Sequence, residues 1–344
     1  MTARRIAIGL ACLLVALVVC AAGAALWARA ALHAPFQGWT GTEVVVELPD
    51  EIGARRAIAA LARAGVLRHP ALVARWVVWQ GLDRSLRAGE YRFDHPASSV
   101  EVIDRLCRGD VVLHPVTIPE GLDLVETAQR VSGAGLGASE ALLAAFRDPA
   151  PVRDLDPAAR DLEGYLFPDT YHFPKGTPAR KIARVLVRRF RQVAGMDLAQ
   201  RATAVGVSMR DVVTLASLVE EETAVASERP RIARVFLNRL RMGMPLQCDP
   251  TVLYALRREG RPVARLAAAD LATPSPWNTY RVKGLPPGPI CSPGRASLDA
   301  VLSPAIGAEL YFVAAPGGGH TFSGDLASHR RAVTVWHRYE RSSR

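Results

Sequence analysis

Residues 216–228 read ASLVEEETAVASE, and the fold of the C-terminal half turns on whether this stretch closes a helix. Ser208 and Asp211 stand at capping-box spacing upstream of it, so a helix is predicted from near Ser208 to Glu222. On a helix turning about 100° per residue, Glu222 falls within roughly 20° of Leu215 and roughly 40° of Leu218. Glu221 lies over Thr214 and Ser217, crowning a polar stripe, and is expected in solvent. Glu220 continues the row of Val213 and Ala216. Two of the three adjacent glutamates therefore extend apolar rows. Desolvation and neighbouring like charge both disfavour an ionised carboxylate, and a helix C-terminus adds the negative end of the dipole. A carboxyl so placed keeps its proton near neutral pH and suits general-acid work. The plain alternative is a solvated helix end. Geometry alone leaves Glu220 and Glu222 both in contention.

Working outward, a second helix is predicted from Ser227, with Ile232, Val235, Phe236 and Leu240 on one face. A stretch of little periodicity runs from 243 to about 297. Two strands follow, at 310–313 and 320–322, around the turn Gly317-Gly318-Gly319, and the tail from about Asp325 is a basic helix. Toward the N-terminus, helices are predicted near 123–133, 138–147 and 177–194, interrupted by an aromatic, glycine- and proline-rich loop at 162–171. Before them comes a smaller unit: strand 44–48, helices around 57–65 and 70–80, strand 87–93, helix 99–107 and strand 111–118. The reading is an α+β chain divided as 28–41 linker, 42–118 first subdomain, 119–204 helical connecting region and 205–344 main domain. No internal repeat or low-complexity segment is present.

The chain has 344 residues, 49% hydrophobic and 22% charged, a globular composition long enough for two cores. Its net charge of +10 is carried by arginines scattered along helices. No zinc-finger spacing, RNP aromatics or basic readout helix accompanies them, so nucleic acid is not an expected partner. Residues 6–27, IAIGLACLLVALVVCAAGAALW, rise about 1.5 Å each and so span a hydrocarbon core of roughly 30 Å. Arg4 and Arg5 on one side, against Arg29 on the other, put residues 1–5 in the cytoplasm and the rest outside. Ala22-Gly23-Ala24 resembles a cleavage site, but the apolar run is long for a signal peptide. Val19 is large for a lipidation site at Cys20. A single-pass anchor is the expectation. Cys12 and Cys20 lie within it, leaving Cys107, Cys248 and Cys291, an odd number that forces at least one free thiol outside the membrane. A Cys248–Cys291 disulfide is one option. No H-E-x-x-H pair or zinc-ligand spacing occurs, and neither metal nor cofactor is expected.

ASLVEEETAVASE, Arg234-Val235-Phe236-Leu237-Asn238-Arg239-Leu240 and the run from Gly243 through Gln247-Cys248-Asp249-Pro250 to Tyr254 together resemble the YceG-like family of endolytic murein transglycosylases. Asn278-Thr279-Tyr280, Gly284-Leu285-Pro286-Pro287-Gly288-Pro289-Ile290, Ser292-Pro293-Gly294 and Gly319-His320-Thr321-Phe322 complete the pattern, with Ala88-Gly89-Glu90-Tyr91 and Pro119-Glu120-Gly121 further upstream. The resemblance implies an inner-membrane protein with a LysM-like subdomain and a periplasmic catalytic domain. Such a protein cleaves peptidoglycan between N-acetylmuramic acid and N-acetylglucosamine within nascent, lipid-linked strands, and ends their elongation beside a synthase complex. It also implies that the catalytic carboxyl is the last acidic residue of the E-x-E-T element, which is Glu222. Glu221 and Cys248 depart from the family pattern, which usually has a basic or neutral polar residue and a small hydroxyl residue there.

The resemblance further implies one carboxylate in two roles. Glu222 protonates the leaving glycosidic oxygen and then takes a proton from the muramyl C6 hydroxyl as that oxygen closes onto C1. Gln247, Asn278 and Tyr280 carry the side chains needed to hold sugar hydroxyls and acetamido groups, and Glu220 stands beside the catalytic position. Asp249 reads either as a turn former before Pro250 or as a partner for Glu222. His320 reads either as a cleft residue or as the start of a strand. Asn238 and Arg239 read as braces for a helix pair. The 162–171 aromatics read either as a sugar-stacking surface or as core. A water-adding muramidase and a non-catalytic scaffold that binds peptidoglycan remain the alternatives.

Overall fold

In the computed structural model, which describes residues 2–50, 52–195 and 198–342, the chain separates into two units. One comprises residues 1–114 with 174–176, the other residues 115–173 with 177–344. Met1 of the predicted cytoplasmic tail lies outside the described residues.

The first unit opens with α1 (Thr2–His33). Its segment Ile6–His33 has a mean hydropathy of 2.8 and is long and apolar enough to cross a membrane. Ile6, Leu14, Val19 and Trp27 are each more than half exposed, as a lipid-facing helix requires. Only toward its end does α1 enter a protein core, through Leu32. Strand β1 (Val44–Leu48), α2 (Ala54–Arg63), α3 (Pro70–Trp79), β2 (Gly89–Phe93) and α4 (Ser99–Arg108) follow. The two strands pair antiparallel, Val44 opposite Phe93 and Leu48 opposite Gly89. Alternation turns Val46, Leu48, Tyr91 and Phe93 inward, where they meet Ala57, Ile58 and Leu61 of α2 and Val102, Ile103 and Leu106 of α4. Helix α4 is bounded by a Ser98–Glu101 capping box and by Gly109 in the left-handed region. The strand–helix–helix–strand order expected from the sequence is present.

The boundary between units falls within β3 (Leu113–Ile118). The second unit continues through α5 (Leu124–Gly133), α6 (Ser139–Phe146), β4 (Asp169–Pro174), α7 (Ala179–Ala194) and α8 (Leu198–Val205). Then come α9 (Met209–Glu222), α10 (Arg229–Arg241), α11 (Asp249–Arg258), α12 (Arg295–Leu302), β5 (Tyr311–Ala314), β6 (His320–Ser323) and α13 (Leu326–Ser342). Strand β3 pairs with β4, and β5 with β6. Helix α9 is the hub. It packs on α10, α11 and α12, and buries Val212, Val213, Leu215, Ala216, Leu218 and Val219. At roughly 1.5–3 kcal/mol for each large aliphatic side chain removed from water, this all-round burial holds the helix in place. The predicted capping box is formed: Ser208 Oγ accepts from Asp211 N at 3.1 Å, and Ser208 N donates to Asp211 at 3.1 Å.

Two expectations are corrected. The 243–297 stretch contains α11, which begins at Asp249-Pro250 with no side-chain cap. Proline fits the first turn, where its missing N–H has no partner to lose. Helix α8 and strand β4 also lie in segments read as connections. Of the two readings left open for the 162–171 aromatics, core is the one the structure bears out, with Tyr165, Phe167 and Tyr171 no more than 7% exposed and the Tyr165 hydroxyl donating to Asp156 at 2.8 Å.

Candidate active site

The three glutamates at the end of α9 have three different surroundings. Glu220 is fixed: Arg229 Nη2 donates to its Oε1 at 3.0 Å, and Gly294 N donates to its Oε2 at 2.8 Å. Its side chain is 6% exposed and that of Arg229 11%, so this is a buried pair joining α9 to α10 and the start of α12. Glu221 is exposed as a residue, as expected, although the stripe beneath it is not: Thr214 and Ser217 are both buried. Burial of its carboxyl end nonetheless pushes its pKa up, against the opposing pull of Arg257 and of the Cys291 thiol. Glu222 is half-buried. Burial pushes its carboxyl up to about 7, Asp249 and Glu221 add to the rise, and a hydrogen bond with the Cys248 thiol and the charge of Arg239 oppose it.

Cys248 and Cys291 are both free and both buried, so the disulfide option is not taken. Each serves a different glutamate instead. Burial and the adjacent Glu222 hold the Cys248 thiol well above its ordinary range, so it stays protonated and donates to Glu222. Cys291 donates to Ser217 O at 3.4 Å and lies against Glu221.

Glu222 opens onto a cleft of about 470 Å³, within the usual span for small-ligand sites. Thr223, Ala224 and Val225 continue its wall. The β5–β6 turn, Gly317 to His320, forms a second side, and Trp336 and Tyr339 of α13 a third. The turn exists because β5 and β6 pair up to Ala314 opposite His320 and three glycines with positive φ then reverse the chain. The structure thus brings His320 and Glu222 to one cleft. The sequence reading missed Trp336 and Tyr339. Their apolar spacing with Val333 along the basic tail was the available signal.

The remaining predicted residues cluster at the start of α11. The Tyr280 hydroxyl donates to Asp249 Oδ1, and Asp249 is close enough to Glu222 to raise its pKa. Burial, then the Asp249 carboxylate, raises the Tyr280 pKa, so its hydroxyl stays a donor. Gln247 is exposed, holds φ at 52°, and accepts from Arg239 Nη1 at 3.5 Å. It is the one non-glycine residue with positive φ among those described, a costly conformation kept where Arg239 and Thr279 over-determine it. Arg239, 7% exposed, also donates to Leu246 O at 2.8 Å and Leu310 O at 2.6 Å. Asn238 donates to Glu309 O at 3.0 Å. Both residues therefore brace the approach to β5, not the helix pair expected. Asn278 is 0% exposed. Its amide donates to Leu271 O and Thr273 O, and its oxygen accepts from Tyr280 N. Neither Asn278 nor Glu220 presents a free polar group to the cleft. Among the described residues, no cluster of His, Cys, Asp or Glu is arranged to hold a metal ion.

The sequence pattern of the YceG-like family matches residues 46–335. An endolytic murein transglycosylase of Bacillus subtilis (strain 168) is 30% identical over 326 residues, covering 90% of this chain and 89% of the relative. The endolytic murein transglycosylase of Streptococcus pneumoniae serotype 2 (strain D39) is 30% identical over 306 residues. That alignment covers 79% of this chain but 54% of the relative, so this chain spans about half its length. Among solved structures, a yceG-like protein of Listeria monocytogenes superposes with a TM-score of 0.57 at 30% identity, over 85% of this chain and 99% of that one.

Proposed function

The chain belongs to the YceG-like family, and from that membership together with the Glu222 cleft we infer that it is an endolytic murein transglycosylase, a lyase acting on peptidoglycan. The observation that carries the residue-level reading is a carboxyl whose burial lifts it to about 7 at the wall of an open cleft. Such a group holds a proton near neutral pH and can release it to an oxygen.

Glu222 donates its proton to the glycosidic oxygen between N-acetylmuramic acid and N-acetylglucosamine as the C1–O bond breaks. The Glu222 carboxylate then accepts the C6 hydroxyl proton of the muramyl residue while O6 bonds to C1. The product is a 1,6-anhydromuramyl end, no water is consumed, and Glu222 returns to its protonated form. The Cys248 thiol stabilises the carboxylate between the two steps by hydrogen bonding. Asp249 and Tyr280 hold each other at the edge of the site. Trp336, partly buried in the cleft wall, offers a face for a sugar ring.

The anchor places this chemistry near lipid-linked strands. With Arg4 and Arg5 inside, the second unit stands in the periplasm and acts on nascent glycan, terminating strand elongation beside a synthase. The β1-α2-α3-β2 unit is a LysM-like glycan holder. The test is mass spectrometry of muropeptides released from nascent, uncross-linked glycan by the protein and by Glu222→Gln. Anhydromuramyl ends from the unmodified protein alone support the reading. Reducing ends would instead make it a hydrolase with Asp249 as the second carboxylate, and no cleavage by either protein would leave a scaffold.

A further inference from the structure

The cleft holds a second carboxylate-linked group besides Glu222. Glu228, at the entry to α10, reaches the first residue of β6 by two contacts. His320 N donates to Glu228 Oε1 at 2.7 Å, and His320 Nδ1 stands 2.7 Å from Glu228 Oε2. Thr223, the neighbour of Glu222, donates to the same Oε2 at 3.4 Å. The turn is shaped to allow this. Gly319 has φ +72°, and a Cβ there would come within 2.6 Å of Glu228 Oε1. Phe312 packs edge-on to the imidazole at 5.3 Å, which leaves the ring little rotational freedom. Burial pushes the Glu228 carboxyl up, but its hydrogen bonds from His320 outweigh that and leave its pKa below the ordinary value. Glu228 is therefore an ionised acceptor, and Nδ1 facing it must carry a hydrogen. His320 Nε2 has no protein partner among the described residues, and the ring lines the cleft that Glu222 lines.

Resting on the reading of this cleft as a glycan site, we propose that Glu228 is a positioning residue that locks His320 in its Nδ1–H tautomer, so that Nε2 accepts a hydrogen bond from a hydroxyl or acetamido N–H of the sugar beside Glu222. The sugar is then gripped from two sides: an acid at its glycosidic oxygen and the Nε2 acceptor at a substituent. A donor-poor or substituted sugar at that position binds less well, which makes His320 a determinant of specificity.

The test uses the full chain in detergent micelles with its histidine rings labelled with nitrogen-15, in a Glu222→Gln background to prevent turnover. The probe is an uncross-linked murein tetrasaccharide. The free protein is expected to show His320 with Nδ1 protonated and Nε2 bare, and adding glycan is expected to move the Nε2 signal alone. The reverse tautomer, an unmoved Nε2 signal, or absence of glycan binding overturns the proposal. Two substitutions in otherwise unmodified protein separate positioning from structural support. His320→Asn keeps an amide near Nδ1 for Glu228 but has nothing at Nε2. His320→Gln places a polar atom near Nε2. The Asn variant is expected to raise KM about 3- to 10-fold, as loss of one neutral hydrogen bond does, with kcat nearly kept, and Gln to recover part of the loss. Equal KM for Asn and unmodified protein overturns the proposal. Failure of the transglycosylase reading shows separately, as unmodified protein that yields no anhydromuramyl ends, because the nitrogen signals report binding and not cleavage.

Discussion

Replacing Glu222 by glutamine is expected to abolish cleavage and, at the same time, to stabilise the protein in a pH-dependent way. An ordinary glutamate titrates at 4.5, whereas burial lifts Glu222 to about 7. A carboxyl whose folded value is raised contributes stability that is fully present below its unfolded value and lost as pH rises through the folded one. For Glu222 the loss runs from about pH 4.5 to about pH 7. At about 1.4 kcal/mol for each pH unit, the ionised form costs the fold about 3 kcal/mol at most, and water reaching the half-buried side chain brings this to about 2 kcal/mol. Glutamine has the shape of the protonated acid and never pays this cost. The full-length variant and the unmodified chain, unfolded by denaturant in the same detergent, are expected to match at pH 4.5. They diverge above it and differ by about 2 kcal/mol at pH 8, or roughly 4–8 °C in melting temperature. Cleavage by the unmodified protein is expected to fall over the upper part of the same range, because the reaction begins with the proton on Glu222. A stability difference that is constant with pH, or a glutamine variant weaker at pH 8, would refute a buried, proton-holding Glu222.

Cys248→Ala removes the thiol that favours the Glu222 carboxylate, so the alkaline limb of the pH–rate profile is expected to move to higher pH; an unmoved limb would mean the thiol does not face the acid. Arg229→Ala strips Glu220 of its buried partner and is expected to cost about 3–5 kcal/mol in denaturant unfolding, with Arg229→Lys recovering part. Trp336→Ala opens one wall of the cleft and is expected to weaken glycan binding to the Glu222→Gln protein about 3- to 10-fold, the scale of an aromatic contact. Calorimetric titration reads it.

What was legible in the sequence is what local physics decides. The Ser208–Asp211 box and the apolar rows of α9 fix that helix, and the angular argument set Glu220 and Glu222 over buried rows but did not foresee that Thr214 and Ser217, under Glu221, are buried as well. The β5–β6 hairpin was legible because three glycines sit between two short apolar runs. Non-local pairing was not legible. Nothing near Asn278 announces that its amide ties together the carbonyls of Leu271 and Thr273, and nothing near Glu220 announces Gly294. Helix α11 was obscured by Pro250, although Val252, Ala255 and Leu256 keep helical spacing and are all buried.

The run of three like charges is tolerated because the fold never asks the three carboxylates to share one environment. Arginine and a helix-start amide each engage one oxygen of Glu220, so it can stay close to its neighbours. Glu221 reaches back to a thiol and the Arg257 charge. Glu222, likewise, receives a weak neutral donor, Cys248, in place of a strong cation, with Arg239 acting on it at longer range. A guanidinium in contact would have pulled its pKa below the ordinary range and left no proton to give. The departure at Cys248 is consistent with this logic: a thiol bonds the carboxylate more weakly than a hydroxyl does, which favours retention of the proton. Exchanging Cys248 for serine is therefore expected to lower the Glu222 pKa, moving the alkaline limb of the activity profile to lower pH, opposite in direction to the alanine exchange. If serine and alanine shift the limb the same way, residue 248 tunes Glu222 by packing and not by hydrogen bonding.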